Sequence, residues 1–247
     1  FRVHDIPDIR KLRKLQQTFF KFGVRTQLAK LVDPRQFNAV IEQIQDLQQF
    51  VQLQVLLLRA LPLAVYLTAN KGHFGLAADY YTHFTSPIRR YPDLVVHRAI
   101  KQKLHQQHSS NIKSKRSIIH KVSSEMAELC SQQERRAEKA ERQSIDLMKV
   151  DFLAPLTGKT FQTSVTSVEK QGFKVNLESH GFEWFLPIES MPDDSYYYDE
   201  TALCLHGRRK NRTLQAGQRL EIRLLRADPV YRMLEFEVER WLESVHA

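Results

Sequence analysis

The sequence predicts an α+β chain: a mainly α-helical part to residue 153, then a five-stranded β-barrel of the OB type from 154 to 247. Three observations carry this. Apolar residues recur at helical spacing through much of the first part, beside helix punctuation at Asp33-Pro34 and Pro92-Asp93. Ala154-Pro155 and Thr157-Gly158 then interrupt the pattern. Beyond them come five short alternating stretches in about 85 residues, and the OB-fold is the natural barrel for five strands.

Taken in order, Phe1 to Asp8 is extended and contains Pro7. Asp8 caps a helix from Ile9 to about Phe22, with Leu12, Leu15 and Phe19 on one face and Gly23 as C-cap. Asp33 and Pro34 open a second helix to about Leu61, with room for a break, striped by Val40, Ile44, Leu47, Val51 and Val55. His73 to Phe84 lacks helical periodicity and reads as strand or extended loop. A helix follows Pro92 to about Gln107, burying Leu94, Val95, Ala99, Ile100 and Leu104. Ser109-Ser110-Asn111 is a turn. A long charged helix then runs from about Ser114 to Leu153, with Ile118, Val122, Met126, Leu129, Ile145 and Met148 as its apolar positions. The strands are Thr160 to Val168, Phe173 to Leu177, Glu183 to Ile188, Arg219 to Ala227 and Met233 to Val238, with Tyr196-Tyr197-Tyr198 on a loop.

The 247 residues suffice for one large or two modest domains, and the net charge of +9 suggests a polyanionic partner. The charge is uneven. Before Asp151 stand 25 Lys and Arg against 13 Asp and Glu; from Asp151 onward the numbers are 12 and 15. A bound nucleic acid would therefore give its phosphates mainly to the first part. Cys130 and Cys204 match no metal-ligand spacing and read as free thiols of a reducing compartment. His97 and His105 are not at i,i+4 spacing, and no Cys or carboxylate completes a zinc set. No apolar run reaches the roughly 18 residues a membrane span needs. Phe1 is not a natural start, so a longer protein is expected.

The chemistry concentrates in Tyr80 to Asp93, YYTHFTSPIRRYPD. Pro87 and Pro92 fix φ and remove backbone donors, so Arg89 and Arg90 sit in a constrained turn. A guanidinium held still presents a planar donor fork to phosphate with little further loss of side-chain entropy. From the residues alone this is a phosphate-binding element leading into a helix. The competing reading pairs Arg89 with Asp93 or Asp79 in a structural salt bridge. Tyr81, Thr85 and Ser86 can contact sugar or phosphate through their hydroxyls, or can scaffold the turn.

This stretch resembles the signature near the end of the catalytic domain of the RNB exoribonucleases, the ribonuclease R and ribonuclease II family, and the ribonuclease R form is closer. The opening FRVHD, HFGLA at His73 to Ala77 and VVHRAI after the signature resemble the same family, as does the C-terminal barrel, which is similar to the S-one RNA-binding domain. The resemblance implies residues 1–153 as the C-terminal half of an RNB domain and 154–247 as an S-one domain. It implies a processive 3′→5′ exoribonuclease that hydrolyses single-stranded RNA to nucleoside 5′-monophosphates. Its expected setting is the cytoplasm, as a monomer with no membrane partner.

The same resemblance assigns Arg89 to the scissile phosphate, where a preorganised guanidinium offsets charge growing on the non-bridging oxygens. It leaves Arg90 to backbone phosphate or to bracing the turn, and matches Glu141 to a carboxylate near the catalytic pocket. The family's Mg²⁺-binding aspartates lie before the equivalent of Phe1, so this chain alone is expected to hold no metal and to depend on the N-terminal half of the same enzyme. Asp5, Asp8, Asp193 and Asp194 do not match the metal motif. On the barrel, Phe161, Phe173 and Phe185 are candidate base-stacking residues, though the core also draws on aromatics. Lys174 and Pro187 stand where the family commonly has a second aromatic and a histidine; the Arg208-Arg209-Lys210 cluster and Arg212 could compensate. The alternatives are an inactive RNA-binding module and a structural fragment without RNA binding.

Overall fold

The computed structural model describes residues 1–31, 33–47, 49–108 and 123–242. Chain contacts divide it into two compact units. One comprises Phe1–Asp8, Val32–Pro34 and Leu61–Glu141; the other comprises Ile9–Leu31, Arg35–Ala60 and Arg142–Ala247.

In the first unit, β1 (Arg2–Val3) pairs antiparallel with β2 (Val65–Tyr66). His73 makes isolated bridges to His4 and Ala78, and a 3-10 turn covers Phe74–Leu76. The extended loop expected between His73 and Phe84 is thus pinned to the first strand. Helix α4 (Tyr91–His108) follows the signature. Of its expected buried side, Leu94, Val95 and Ala99 are half-buried, while Ile100 and Leu104 are exposed. Helix α5 (Ser124–Leu153) contributes its first part to this unit. Its expected start near Ser114, with Ile118, Val122 and the Ser109-Asn111 turn, lies outside the described residues.

In the second unit, α1 (Ile9–Lys21) ends as predicted at Gly23. Gly23 has φ +86°, and the Gly23 and Val24 N–H groups donate to the Phe20 and Phe19 carbonyls, each at 3.0 Å. That is a Schellman cap, closed by the buried Phe19 and Val24. The second predicted helix is two: α2 (Pro34–Ile44) and α3 (Phe50–Arg59). The break rephases the stripe. Val40 and Ile44 are buried in α2, but α3 buries Gln52, Leu53 and Leu57 and leaves Val51 and Val55 exposed. Likewise Leu129, Ile145 and Met148 of α5 are exposed, whereas Val150 and Leu153 enter the barrel core.

The five predicted strands are β3 (Thr160–Glu169), β4 (Gly172–Leu177), β5 (Phe182–Pro187), β9 (Arg219–Asp228) and β10 (Met233–Trp241). They form one antiparallel sheet in the order β10-β9-β3-β4-β5. Counting these five strands alone, the third, second, first, fourth and fifth are neighbours, which is the OB connectivity. Inserted between the third and fourth is a second sheet of β6 (Tyr196–Asp199), β7 (Cys204–Gly207) and β8 (Thr213–Leu214). Tyr196-Tyr197-Tyr198, expected on a loop, is therefore a strand; Tyr196, Leu205 and Leu214 join the barrel core from it. At Gly172 a Cβ would lie 2.1 Å from the Leu186 carbonyl oxygen, so only glycine lets β4 and β5 approach this closely.

Candidate active-site cleft

The signature folds as its prolines dictate. The Arg89 and Arg90 N–H groups donate to the Ser86 carbonyl at 3.3 and 3.0 Å, closing a tight turn over 87–89, and α4 begins at once with Tyr91-Pro92-Asp93. Asp93 is fully buried. Its Oδ2 accepts from the Ser86 N–H at 2.8 Å and from Arg90 Nε and Nη2 at 3.2 and 2.8 Å. Burial alone would raise the Asp93 carboxyl, but the Ser86 amide and the Arg90 guanidinium outweigh it and hold the pKa below its ordinary value. The carboxylate that could have neutralised Arg89 is thereby committed to Arg90. Among the described residues the exposed Arg89 side chain has no carboxylate partner.

Arg89 and Arg90 line a cleft of about 860 Å³ whose other wall is α5. Glu134, Glu138 and Glu141 line that wall. Their i, i+4, i+7 spacing sets them on one helical face, the signal that could have added Glu134 and Glu138 to Glu141 from sequence. Glu134 is itself neutralised. It forms an ion pair with Arg2, whose guanidinium also lies 4.8 Å from the Tyr66 ring centroid. Ser131 on the same helix accepts the Tyr66 N–H at 2.9 Å and donates to the Ala127 carbonyl at 3.0 Å. These contacts fasten α5 to the first strand pair and fix the width of the cleft.

Tyr81 lies elsewhere. Its ring stands edge-on to His73 and His83, with centroids 4.9 and 5.8 Å apart, and its carbonyl accepts the Arg2 N–H. His4 stacks on His73 at 5.2 Å, and Tyr66 Oη is 2.7 Å from His83 Nδ1. Burial lowers the pKa of all three imidazoles and pushes the Tyr66 phenol up to about 12. Thr85 is exposed, and Ser86 gives both its N–H and its carbonyl to the turn. Phe84 is exposed and stacks on His97 at 4.2 Å.

On the barrel the three candidate phenylalanines separate. Phe161 and Phe173 are buried in the core, where no base can reach a ring face. This corrects their expected stacking role. Parity carries the distinction: Phe173, Val175 and Leu177 alternate inward, while Glu183, Phe185 and Pro187 alternate outward. Phe185 remains exposed, opposite Lys174. Lys149 lies over the Phe182 and Trp184 rings at 5.6 and 5.9 Å.

Residues 1–106 match the RNB domain family and residues 155–238 match the S1 RNA binding domain family. Ribonuclease R of Thermotoga maritima is 35% identical over 96% of this chain and 33% of its own length. For Ribonuclease R of Escherichia coli K12 the values are 34%, 96% and 30%. In both relatives the matched stretch is about as long as this chain, in which an RNB segment is followed by an S1 domain. The chain thus spans about a third of these curated relatives. Among solved structures, Mycoplasma genitalium RNase R in complex with ribose methylated single-stranded RNA superposes with a TM-score of 0.77 at 26% identity, covering 96% of this chain and 37% of the other. Among the described residues, no three His, Cys, Asp or Glu side chains gather to hold a metal ion. No described helix is long and apolar enough to cross a membrane.

Proposed function

We propose that this chain is the C-terminal portion of a processive 3′→5′ exoribonuclease that hydrolyses single-stranded RNA to nucleoside 5′-monophosphates. Residues 1–153 complete its RNB domain and 154–247 form its S-one domain. The observation that carries the reading is the Asp93–Arg90 pair, which braces the signature turn and leaves Arg89 lining the cleft with no ion-pair partner among the described residues. A donor fork so placed stabilises negative charge on a phosphate undergoing substitution. Arg90 holds the turn, and Glu141 on the opposite wall helps to expel or orient the cleaved nucleotide. Thr85 and Ser86 lie at the turn, where their hydroxyls can meet the RNA backbone, and Tyr81 positions the strand from outside the cleft. The Mg²⁺ ions of the reaction belong to aspartates of the N-terminal half, which is this chain's partner in a monomeric, cytoplasmic enzyme.

Arg89→Ala in the full-length protein tests the assignment. Turnover is expected to fall at least about 100-fold, the effect of removing one preorganised transition-state donor, with RNA affinity largely kept. Normal turnover overturns the role. The chain alone is expected to bind RNA without shortening it. A labelled single strand incubated with the chain and Mg²⁺ that loses 3′ nucleotides contradicts that expectation.

A further inference from the structure

We propose that the outer face of the inserted three-stranded sheet is a second single-stranded RNA site, in which Tyr197 and His206 stack a base and Arg208 and Arg209 take the flanking phosphates. The proposal rests on the RNA-binding reading above and adds a subsite to it. Tyr196, Leu205 and Leu214 turn inward from this sheet, so Tyr197 faces outward, paired across the strands with His206. Tyr197 is 49% exposed. Its ring centroid lies 5.4 Å from that of His206 and 5.8 Å from the Arg208 guanidinium carbon. An exposed aromatic flanked by an imidazole and a guanidinium is a sequence-tolerant stacking platform.

The cations beside it are built in. Asp194, fully buried, spends its carboxylate on the main chain: Oδ1 accepts the Ser195 N–H at 2.7 Å, and Oδ2 accepts those of Arg209 and Lys210 at 3.0 and 2.7 Å. That fixes the hairpin tip, while the Arg209 side chain stays 79% exposed and reaches Asp194 only at 3.8 Å. Gly207 permits it, since a Cβ there would lie 2.7 Å from Asp194 Oδ2. Asp193 takes Arg212 at 3.1 Å. Among the described residues Arg208 has no carboxylate partner. Four cations, Arg208, Arg209, Lys210 and Arg212, against Asp193 and Asp194 leave a positive surplus in a C-terminal part whose net charge is negative. The barrel strands offer less: Phe161 and Phe173 are buried, Phe182 and Trp184 pack partly buried against the core, and Phe185 is less exposed than Tyr197.

Fluorescence anisotropy of the 247-residue chain with a labelled ten-nucleotide oligouridine at low salt tests this, with thermal melting as the fold control. Tyr197→Ala is expected to weaken binding about tenfold, the scale of one stacked base, and Tyr197→Phe to keep it. Arg208→Ala should weaken binding and reduce the salt slope by about one. Inorganic polyphosphate should bind Tyr197→Ala as it binds the parent. If the parent binds RNA and both alanine variants bind equally well, the subsite is overturned while the RNA-binding reading stands. If the folded parent binds no RNA at low salt, both fall.

Discussion

The Asp93 carboxylate and the Arg90 guanidinium meet at 2.8 Å inside the signature turn, so adjacent arginines have opposite fates. Arg90 is structure and Arg89 is available. Sequence alone left this open, because Asp93 lies within helical reach of both. What decides it is register. Arg90 is three residues before Asp93 and shares its face, whereas Arg89 is carried away by the turn over 87–89.

Asp93→Ala should therefore cost about 3 kcal/mol of stability, since it orphans the partly buried Arg90 and the Ser86 N–H together. Arg89→Ala should change stability by less than about 0.5 kcal/mol, as an exposed side chain does. Urea unfolding of both variants checks the contrast, and equal losses contradict the division of roles.

Arg2→Ala should destabilise by about 2 kcal/mol, because Glu134 and the Tyr66 ring lose their shared cation in a partly buried setting. Glu134→Gln should cost less, since a neutral amide still accepts from Arg2. Thermal melts of the single and double variants measure the coupling; simple additivity contradicts it.

Stability should fall in mild acid. Burial holds His4, His73 and His83 below their ordinary value of 6.5 in the folded state. Between the folded and unfolded pKa values the unfolded chain binds more protons, so stability rises with pH there and levels above about 6.5. A urea midpoint series across this range should show the slope, reduced in His73→Asn. A flat profile from pH 7 downward contradicts it.

Gly172→Ala should destabilise the barrel by about 3 kcal/mol, because the added methyl meets the Leu186 backbone rather than a side chain able to yield. Gly181→Ala is the comparison: its φ of +69° carries strain but nothing lies within 4 Å of the added atom. Near-ultraviolet circular dichroism with thermal melting should rank the first well above the second.

Much of this was legible in the sequence where one physical rule acts alone. Gly23 ends α1, Pro34 opens α2, and five alternating stretches became five barrel strands within a few residues at each end. Legibility failed where rules compete. A single helical stripe through Val51 and Val55 ignored the rephasing that a break imposes. Tyr196, Tyr197 and Tyr198 show no polar alternation, so their strand was invisible although burial alternates along it. Of the cleft residues Arg89, Arg90 and Glu141 were readable, but the Arg2 contacts to Tyr66 and Glu134 were not, since these partners are 64 and 132 residues away.

Both indoles of the chain lie near a cation: Trp184 near Lys149 and Trp241 near Arg212, at 5.5 Å in the second case. The molecule thus carries two native optical probes. An anion drawn to the hairpin tip would pull on Arg212 and alter the emission of Trp241 while leaving that of Trp184 unchanged. Occupancy of this face would then be visible without any label.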